Sequence, residues 1–308
     1  MTLPCLAVVG ATCTGKSSLA MALAQALDGE LINADALQAY RRFEIGTAKP
    51  GREDRELVAH HLIDILDPEE AYSAGAFARR ATQAVGDVTS RRRTPIVVGG
   101  SGLYLRALFA GLSSIPPVPD AVRESVRRRL EAEGPERLHR DLRERDPRTA
   151  ETLHHNDRQR IARAYEVLEA TGRTLTSWRE DSPSTPSLDG RWIGLTLPRN
   201  VLYDRIDLRA RRMLELGWLE EVKGLLDSGV SPSAPAFQAI GYRQLVAHVQ
   251  GRQSLDAAMD DTIRETRRYA KRQETWFRKE KVDAWFPSSV PHGLATDVLT
   301  FLRTEIEG

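Results

Sequence analysis

The chain has 308 residues, 41% of them hydrophobic and 28% charged, and its 44 basic and 43 acidic residues leave a formal net charge of +1. This is the composition of a globular protein with a sizeable core and room for one large domain or two, and it excludes a disordered or collagen-like chain. A charge this balanced also excludes a global basic field, so contact with nucleic acid would have to come from local patches.

The two cysteines, Cys5 and Cys13, make neither a disulfide framework nor a zinc site and fit a reducing, cytoplasmic setting. No apolar run approaches the ~20 residues that a membrane-spanning helix needs, so no membrane contact is expected. The first strand is expected so soon after Met1 that no signal peptide is expected.

Leu6-Ala7-Val8-Val9 reads as a short buried parallel strand, and Leu19, Leu23 and Ala26-Leu27 recur at helical spacing. Between them, Gly10-Ala11-Thr12-Cys13-Thr14-Gly15-Lys16-Ser17 fits the phosphate-loop pattern G-x-x-x-x-G-K-[ST] at every fixed position. A strand, a glycine loop and a helix start gather backbone N–H groups and the positive helix end around one anion. Lys16 is expected to reach the terminal phosphate, and the Ser17 hydroxyl to hold Mg²⁺.

Asp28-Gly29 makes a turn, and 30–35 reads as a second strand with Asp35 at its carboxyl end, the edge where parallel α/β sheets bind ligands. An acid there can equally cap the next element. The polar segment 37–50, closed by glycine and proline, looks like an active-site loop. His60 to Pro68 is expected to add a strand; adjacent His60 and His61 would point to opposite faces and share no metal. Tyr72-Ser73-Ala74 opens a helix running through Phe77 and Val85 to Arg91-Arg92-Arg93.

Thr94 to Val98 reads as a third buried strand, ending in Gly99-Gly100-Ser101-Gly102. A phosphate-loop ATPase would carry a Mg²⁺-binding aspartate at such a strand end; glycines and a serine argue against ordinary ATP hydrolysis. The glycines would let backbone approach a ligand closely, while Ser101 opens a helix and can cap it. Pro116-Pro117-Val118-Pro119 then leads into helices dense in arginine, Arg123 and Arg127-Arg128-Arg129 among them, on a thin apolar stripe. Asn156-Asp157 caps a helix in which Ile161, Ala164, Tyr165 and Leu168 face a core and Gln159, Arg160 and Arg163 lie largely off it, with Gly172 as C-cap. The arginines fit a solvated face or a nucleic-acid contact. Asp181 to Gly190 is a Ser/Pro-rich loop.

Trp192 to Leu197 returns to the sheet, and the next helix carries Arg205, Arg209, Arg211 and Arg212. A final long helix is expected to hold the basic residues from Arg264 to Lys281, with Tyr269 and Trp276 interleaved, a pattern suited to RNA backbone and unstacked bases or, for each ring, to core packing. The fold class is α/β: a P-loop NTPase-like parallel sheet flanked by helices, residues 1–113 and 197–308, with an α-helical insertion at 114–196.

Together these stretches closely resemble the bacterial tRNA dimethylallyltransferase family (tRNA isopentenyltransferases, adenosine 37), almost end to end. The resemblance rests on Gly10 to Ser17, 33–40, 45–50, 98–104, 155–160, 239–242 and 270–277. Ala36 stands where the family usually has Ser, and Ser101 where Thr is usual. The resemblance implies transfer of a dimethylallyl group from dimethylallyl diphosphate to the exocyclic amine of adenosine 37 in the tRNA anticodon stem-loop, with Mg²⁺, by a cytoplasmic monomer. It implies that the backbone of Gly10, Ala11, Thr12, Cys13, Thr14 and Gly15, with Lys16, Ser17 and Arg205, holds the departing diphosphate. Asp35 would accept a hydrogen bond or proton from the amine, and Ser101 would hold the base edge. Asp35, Ala36, Leu37, Gln38, Ser101, Arg123, Gln159, Arg160, Ile161, Ala162 and Arg163 would touch tRNA. A nucleoside or small-molecule kinase explains the loop and Asp35 but not the basic helical block. A nucleic-acid-stimulated ATPase lacks its strand-end carboxylate.

Overall fold

The structure is a computed structural model that describes residues 5–181, 188–289 and 293–307, the side chains of 305–307 apart. It divides into two compact units, Met1–Phe109 with Ser187–Gly308, and Ala110–Pro186. No helix among the described residues is long and apolar enough to cross a membrane.

The first unit is organised by β1 (Cys5–Gly10), buried at every position. Alternate residues leave a strand on opposite faces. Leu6 and Val8 therefore enter one core with Leu19, Leu23, Leu31, Ile96 and Ile193, while Ala7 and Val9 enter another with Ile32, Phe77, Val97 and Leu105. A strand buried on both faces belongs in a parallel sheet covered by helices on both sides. Here α1 (Lys16–Ala26) and α14 (Leu294–Glu307) cover the first face. Helices α3 (Ala74–Ser90), capped by Ser73, and α4 (Gly102–Phe109) cover the second.

Among the described residues the sheet has six parallel strands in the order β3-β2-β4-β1-β5-β6. The others are β2 (Gly29–Asn33), β3 (His60–His61), β4 (Thr94–Val98), β5 (Gly190–Thr196) and β6 (Ala284–Pro287). The carboxyl ends of β1, β4 and β2 therefore lie side by side, which brings the phosphate loop, Gly99-Gly100 and Asp35 to one edge.

Three expectations are corrected. The strand expected from His60 to Pro68 is only two residues long. Leu62 and Asp64 take φ of 63° and 55°, and Asp64, Ile65 and Leu66 give their N–H groups to the Gln38 and Ala39 carbonyls instead of a ladder. The long basic helix, α13 (Leu255–Phe277), stops short of Arg278, Lys279 and Lys281 and is not the last, since β6 and α14 follow. The insertion is shorter than 114–196 at its C-terminal side, because Gly190–Thr196 is β5 and pairs with β1 along its length. Residues 182–187 of the Ser/Pro-rich segment lie outside the described residues.

A third core in this unit joins the 37–50 segment to α10 (Arg199–Glu215), α11 (Trp218–Asp227), α12 (Tyr242–Val249) and α13 through Phe43, Met213, Trp218, Tyr242 and Ile263. Glu221 accepts from the backbone N–H of Glu44 and Ile45 at 2.9 and 2.8 Å, and from the Tyr242 hydroxyl at 2.5 Å. The Lys49 ammonium, fully withdrawn from solvent, donates to the Tyr40 carbonyl, Glu44 and Asp64, and Arg55 of α2 (Arg52–Leu57) also binds Asp64. The buried Lys49 ties Tyr40, Glu44 and Asp64 together while Glu221 holds the backbone at 44 and 45, so the loop that lines the site is fastened at several points.

The second unit packs α5 (Asp120–Glu133), α6 (Pro135–Arg145), α7 (Pro147–Glu151), α8 (Arg158–Thr171) and α9 (Leu175–Asp181) around Val126, Leu130, Leu138, Leu142, Ile161 and Tyr165. The Asp157 side chain caps α8 by accepting from the Arg160 N–H, and Gly172 ends it in the left-handed conformation.

Candidate active site

The loop between β1 and α1 is shaped by Cys13 and Gly15, both left-handed at φ 63° and 89°. Such reversals turn successive N–H groups toward one point, a conformation glycine adopts freely and cysteine only under constraint. The Thr14 hydroxyl and the Lys16 ammonium both donate to the Ala11 carbonyl, at 2.8 and 2.6 Å. Residues far along the chain complete the loop: Arg209 of α10 donates to the Thr12 hydroxyl at 2.7 Å, and Gln273 of α13 accepts from the Thr12 N–H at 2.8 Å.

Asp35 lies two residues past β2. Asn33 fixes its backbone, accepting from the Asp35 N–H and donating to the carbonyls of Asp35 and Leu62. One carboxylate oxygen accepts from the Leu37 N–H at 2.9 Å, so Asp35 does anchor the following turn. It also lines a cavity of about 340 Å³ with Lys16, Ser17, Arg205, Arg209 and Tyr269. Gln38, Thr47, Gly99 and Gly100 complete that wall, and Gln38 donates to the Thr47 and Ala48 carbonyls.

Gly99 and Gly100 line the cavity, and Gly100 and Gly102 have a second purpose besides the expected approach to a ligand. A Cβ at Gly100 would lie 2.1 Å from the Gln273 amide nitrogen, and one at Gly102 2.3 Å from the Trp276 indole nitrogen. They let α13 close onto the sheet edge. Trp276 is thereby core packing, with the Arg106 guanidinium 4.3 Å from its ring centroid. Tyr269, one turn from Gln273, lines the cavity, and Ser101 lies close enough to act on its hydroxyl electrostatically. The Ser101 carbonyl takes the first-turn N–H groups of α4.

Electrostatically the cavity is a cation cluster holding one acid. Among the described lining residues are the cations Lys16, Arg205 and Arg209, with Asp35 as the sole carboxylate. Burial lowers the Lys16 pKa to about 8, reinforced by Arg209 and opposed by Asp35. Burial raises the Asp35 carboxyl, against the Leu37 N–H and the charges of Lys16 and Arg209. Such an arrangement suits a short polyanion beside a group that gives up a proton. No cluster of three or more His, Cys, Asp or Glu side chains among the described residues forms a metal cage. A cation would be held by Ser17 together with ligand oxygens, and that oxygen donor set fits Mg²⁺.

The structure thus brings Lys16, Ser17, Asp35 and Arg205 together on one cavity; Ser101 follows the lining residue Gly100 and lies near Tyr269 but is not itself in the lining. Ala36 and Leu37 are half-buried against the cores. Arg123, Gln159, Arg160 and Arg163 are in the second unit, exposed or nearly so, the arginines meeting only the neighbouring acids of their own helices or caps. Ile161 is fully buried in that unit's core, so its side chain offers RNA no surface, and Ala162 packs against the same core. Sequence reasoning missed Asn33, Arg209 and Gln273 as site residues and left Tyr269 between an RNA-binding stripe and core packing, where the structure has it line the cavity. The one available signal was spacing: Arg205 with Arg209, and Tyr269 with Gln273, stand four apart on one helix face.

Sheet, loop and cavity define a phosphate-loop α/β protein whose strand β4 ends without the ATPase carboxylate. The family model for IPP transferase matches residues 38–280. The chain is 44% identical over 281 residues to a tRNA dimethylallyltransferase of Heliobacterium modesticaldum, covering 91% of this chain and 88% of that one. It is 43% identical over 296 residues to one from Caulobacter sp., covering 95% of each. Among solved structures it is similar to a tRNA isopentenylpyrophosphate transferase of Bacillus halodurans (TM-score 0.73, 35% identity, 99% of this chain and 97% of that one). It is also similar to a eukaryotic dimethylallyltransferase acting on tRNA (TM-score 0.80, 27% identity, 96% and 77%). The chain belongs to the IPP transferase family.

Proposed function

We propose that this protein transfers a dimethylallyl group from dimethylallyl diphosphate to N6 of adenosine 37, the base 3′ of the anticodon, giving N6-isopentenyladenosine and diphosphate. The observation that carries the reading is the pairing of phosphate loop and Asp35 on one cavity, across a strand end that has glycines where an ATPase has its acid. In the reaction the bond between allylic C1 and diphosphate oxygen breaks and the N6–C1 bond forms. The N6 proton passes to Asp35, whose raised proton affinity suits it. Charge develops on the departing oxygens, to which loop N–H groups and the cavity-lining Lys16, Arg205 and Arg209 would supply donors and positive charge. Mg²⁺ held by Ser17 would neutralise further diphosphate charge.

A base stacked in an anticodon loop must be flipped out to reach such a cavity, at a cost of a few kcal/mol. The second unit is the source of compensating contacts in this reading, through Arg123, Gln159, Arg160 and Arg163. In this reading the enzyme works as a monomer, in the cytoplasm with its tRNA. Incubation with tRNA and either labelled dimethylallyl diphosphate or γ-labelled ATP tests the reading. Allyl label in tRNA is expected; phosphate transferred from ATP to a small molecule, or ATP hydrolysis stimulated by RNA, would replace it with a kinase or an ATPase.

Arg160→Ala with Arg163→Ala should weaken tRNA binding and flatten its salt dependence, the log–log slope falling by about 0.7 to 0.9 per lost phosphate contact. Affinity for dimethylallyl diphosphate alone should not change. A salt titration with slope and affinity both unchanged would make these arginines a solvated face.

A further inference from the structure

Gln273 is a buried polar side chain, 6% exposed, placed between two parts of the site that are distant in sequence. Its amide oxygen accepts from the Thr12 N–H at 2.8 Å and its amide nitrogen donates to the Gly100 carbonyl at 2.9 Å. The orientation is forced, since a backbone N–H only donates and a carbonyl only accepts. Gly100 leaves no room for a Cβ beside that nitrogen, so the contact is built into the backbone. Each partner leads on to the chemistry. Thr12 receives Arg209 on its hydroxyl, and Gly100 is followed by Ser101, whose neighbour Tyr269 lines the cavity one turn before Gln273 on α13.

We infer that Gln273 is a positioning residue that locks the phosphate loop to the Gly100–Ser101 turn and so sets the distance between the anion site and the base edge. The inference rests on the transferase reading for its second half and on geometry alone for its first. Only a head group with an acceptor and a donor side by side satisfies both partners. Glutamate keeps the acceptor for Thr12 but, while ionised, sets a second acceptor against the Gly100 carbonyl; its protonated form restores an O–H donor. Methionine satisfies neither.

The test measures single-turnover transfer, inorganic diphosphate binding without tRNA, and thermal melting for wild type, Gln273→Glu and Gln273→Met. Gln273→Met should lose about 10–100-fold in transfer rate, as sub-ångström misplacement does, and should also bind diphosphate more weakly. Gln273→Glu should keep diphosphate affinity within a few-fold yet transfer slowly at neutral pH, with its deficit relative to wild type shrinking as pH falls. Cys13, Lys16, Asp35, Arg205, Arg209 and Tyr269 line the same cavity and are present in both proteins, so the variant-to-wild-type ratio isolates residue 273. A merely structural glutamine would lower melting without that pH signature. Wild-type rate and affinity in Gln273→Met, or a ratio flat with pH in Gln273→Glu, overturns the inference. A wild type that binds diphosphate but prenylates nothing sinks the transferase reading instead, and leaves the binding arm to judge the lock.

Discussion

Replacing Asp35 with alanine is expected to lower the single-turnover transfer rate by about 10²–10⁴ while tRNA affinity stays within a few-fold. Among the described residues Asp35 is the only carboxylate lining the cavity, so no described neighbour is placed to take over as proton acceptor. Its backbone is set by Asn33 rather than by its own side chain, so the substitution should spare the strand end. One bond is lost, from the Leu37 N–H, a local cost of about 1–3 kcal/mol if that donor stays buried and unpaired. Because burial raises the carboxyl pKa, wild-type transfer should fall as pH drops toward that raised value, and Asp35→Ala should lack this limb. Near-normal single-turnover rates in the variant would remove Asp35 from the mechanism.

Lys16→Ala should cost about 10²–10³ in rate, the scale of losing one preorganised donor to developing charge, with tRNA binding intact. Arg205→Ala should do the same more weakly, its guanidinium being shared with the Ser288 carbonyl at 3.3 Å. The lysine carries a pH signature of its own. Burial moves it from 10.5 to about 8, and bound diphosphate favours its charged form. Affinity for dimethylallyl diphosphate should be level below about pH 8 and then decline by up to tenfold per unit, whereas Lys16→Arg should flatten the decline. For stability the sign is opposite: a folded pKa below the unfolded one makes the buried charge destabilising at neutral pH, and that penalty is relieved as pH rises from about 8 to 10.5. Normal kinetics with dimethylallyl diphosphate combined with lost tRNA binding in Lys16→Ala would reassign the residue.

What the sequence made legible was local. Gly10 to Ser17 carries its geometry in eight consecutive residues between a strand and a helix, and Asp35 ends an apolar run, so sheet logic alone delivers both to one edge. Tertiary neighbours decided the rest. The glycines at 100 and 102 suggest a ligand approach, but the room they make for Gln273 and Trp276 cannot be read from the sequence. The stretch after His61 has the composition of a strand, but Lys49 and the Gln38 and Ala39 carbonyls take its polar groups into a loop. Ile161 sits between Arg160 and Arg163 in sequence, and helix geometry turns it into the core. Arg209 and Gln273 lie 197 and 261 residues from Thr12, a separation that no window along the chain can bridge.

The most direct measurement is nucleoside analysis of tRNA digested after reaction with labelled dimethylallyl diphosphate, alongside diphosphate release. The account predicts label in a single nucleoside, N6-isopentenyladenosine from position 37, one diphosphate released for each, and no label in a tRNA carrying guanosine at that position. Label at another position or on another atom, or diphosphate released without label in tRNA, would contradict it.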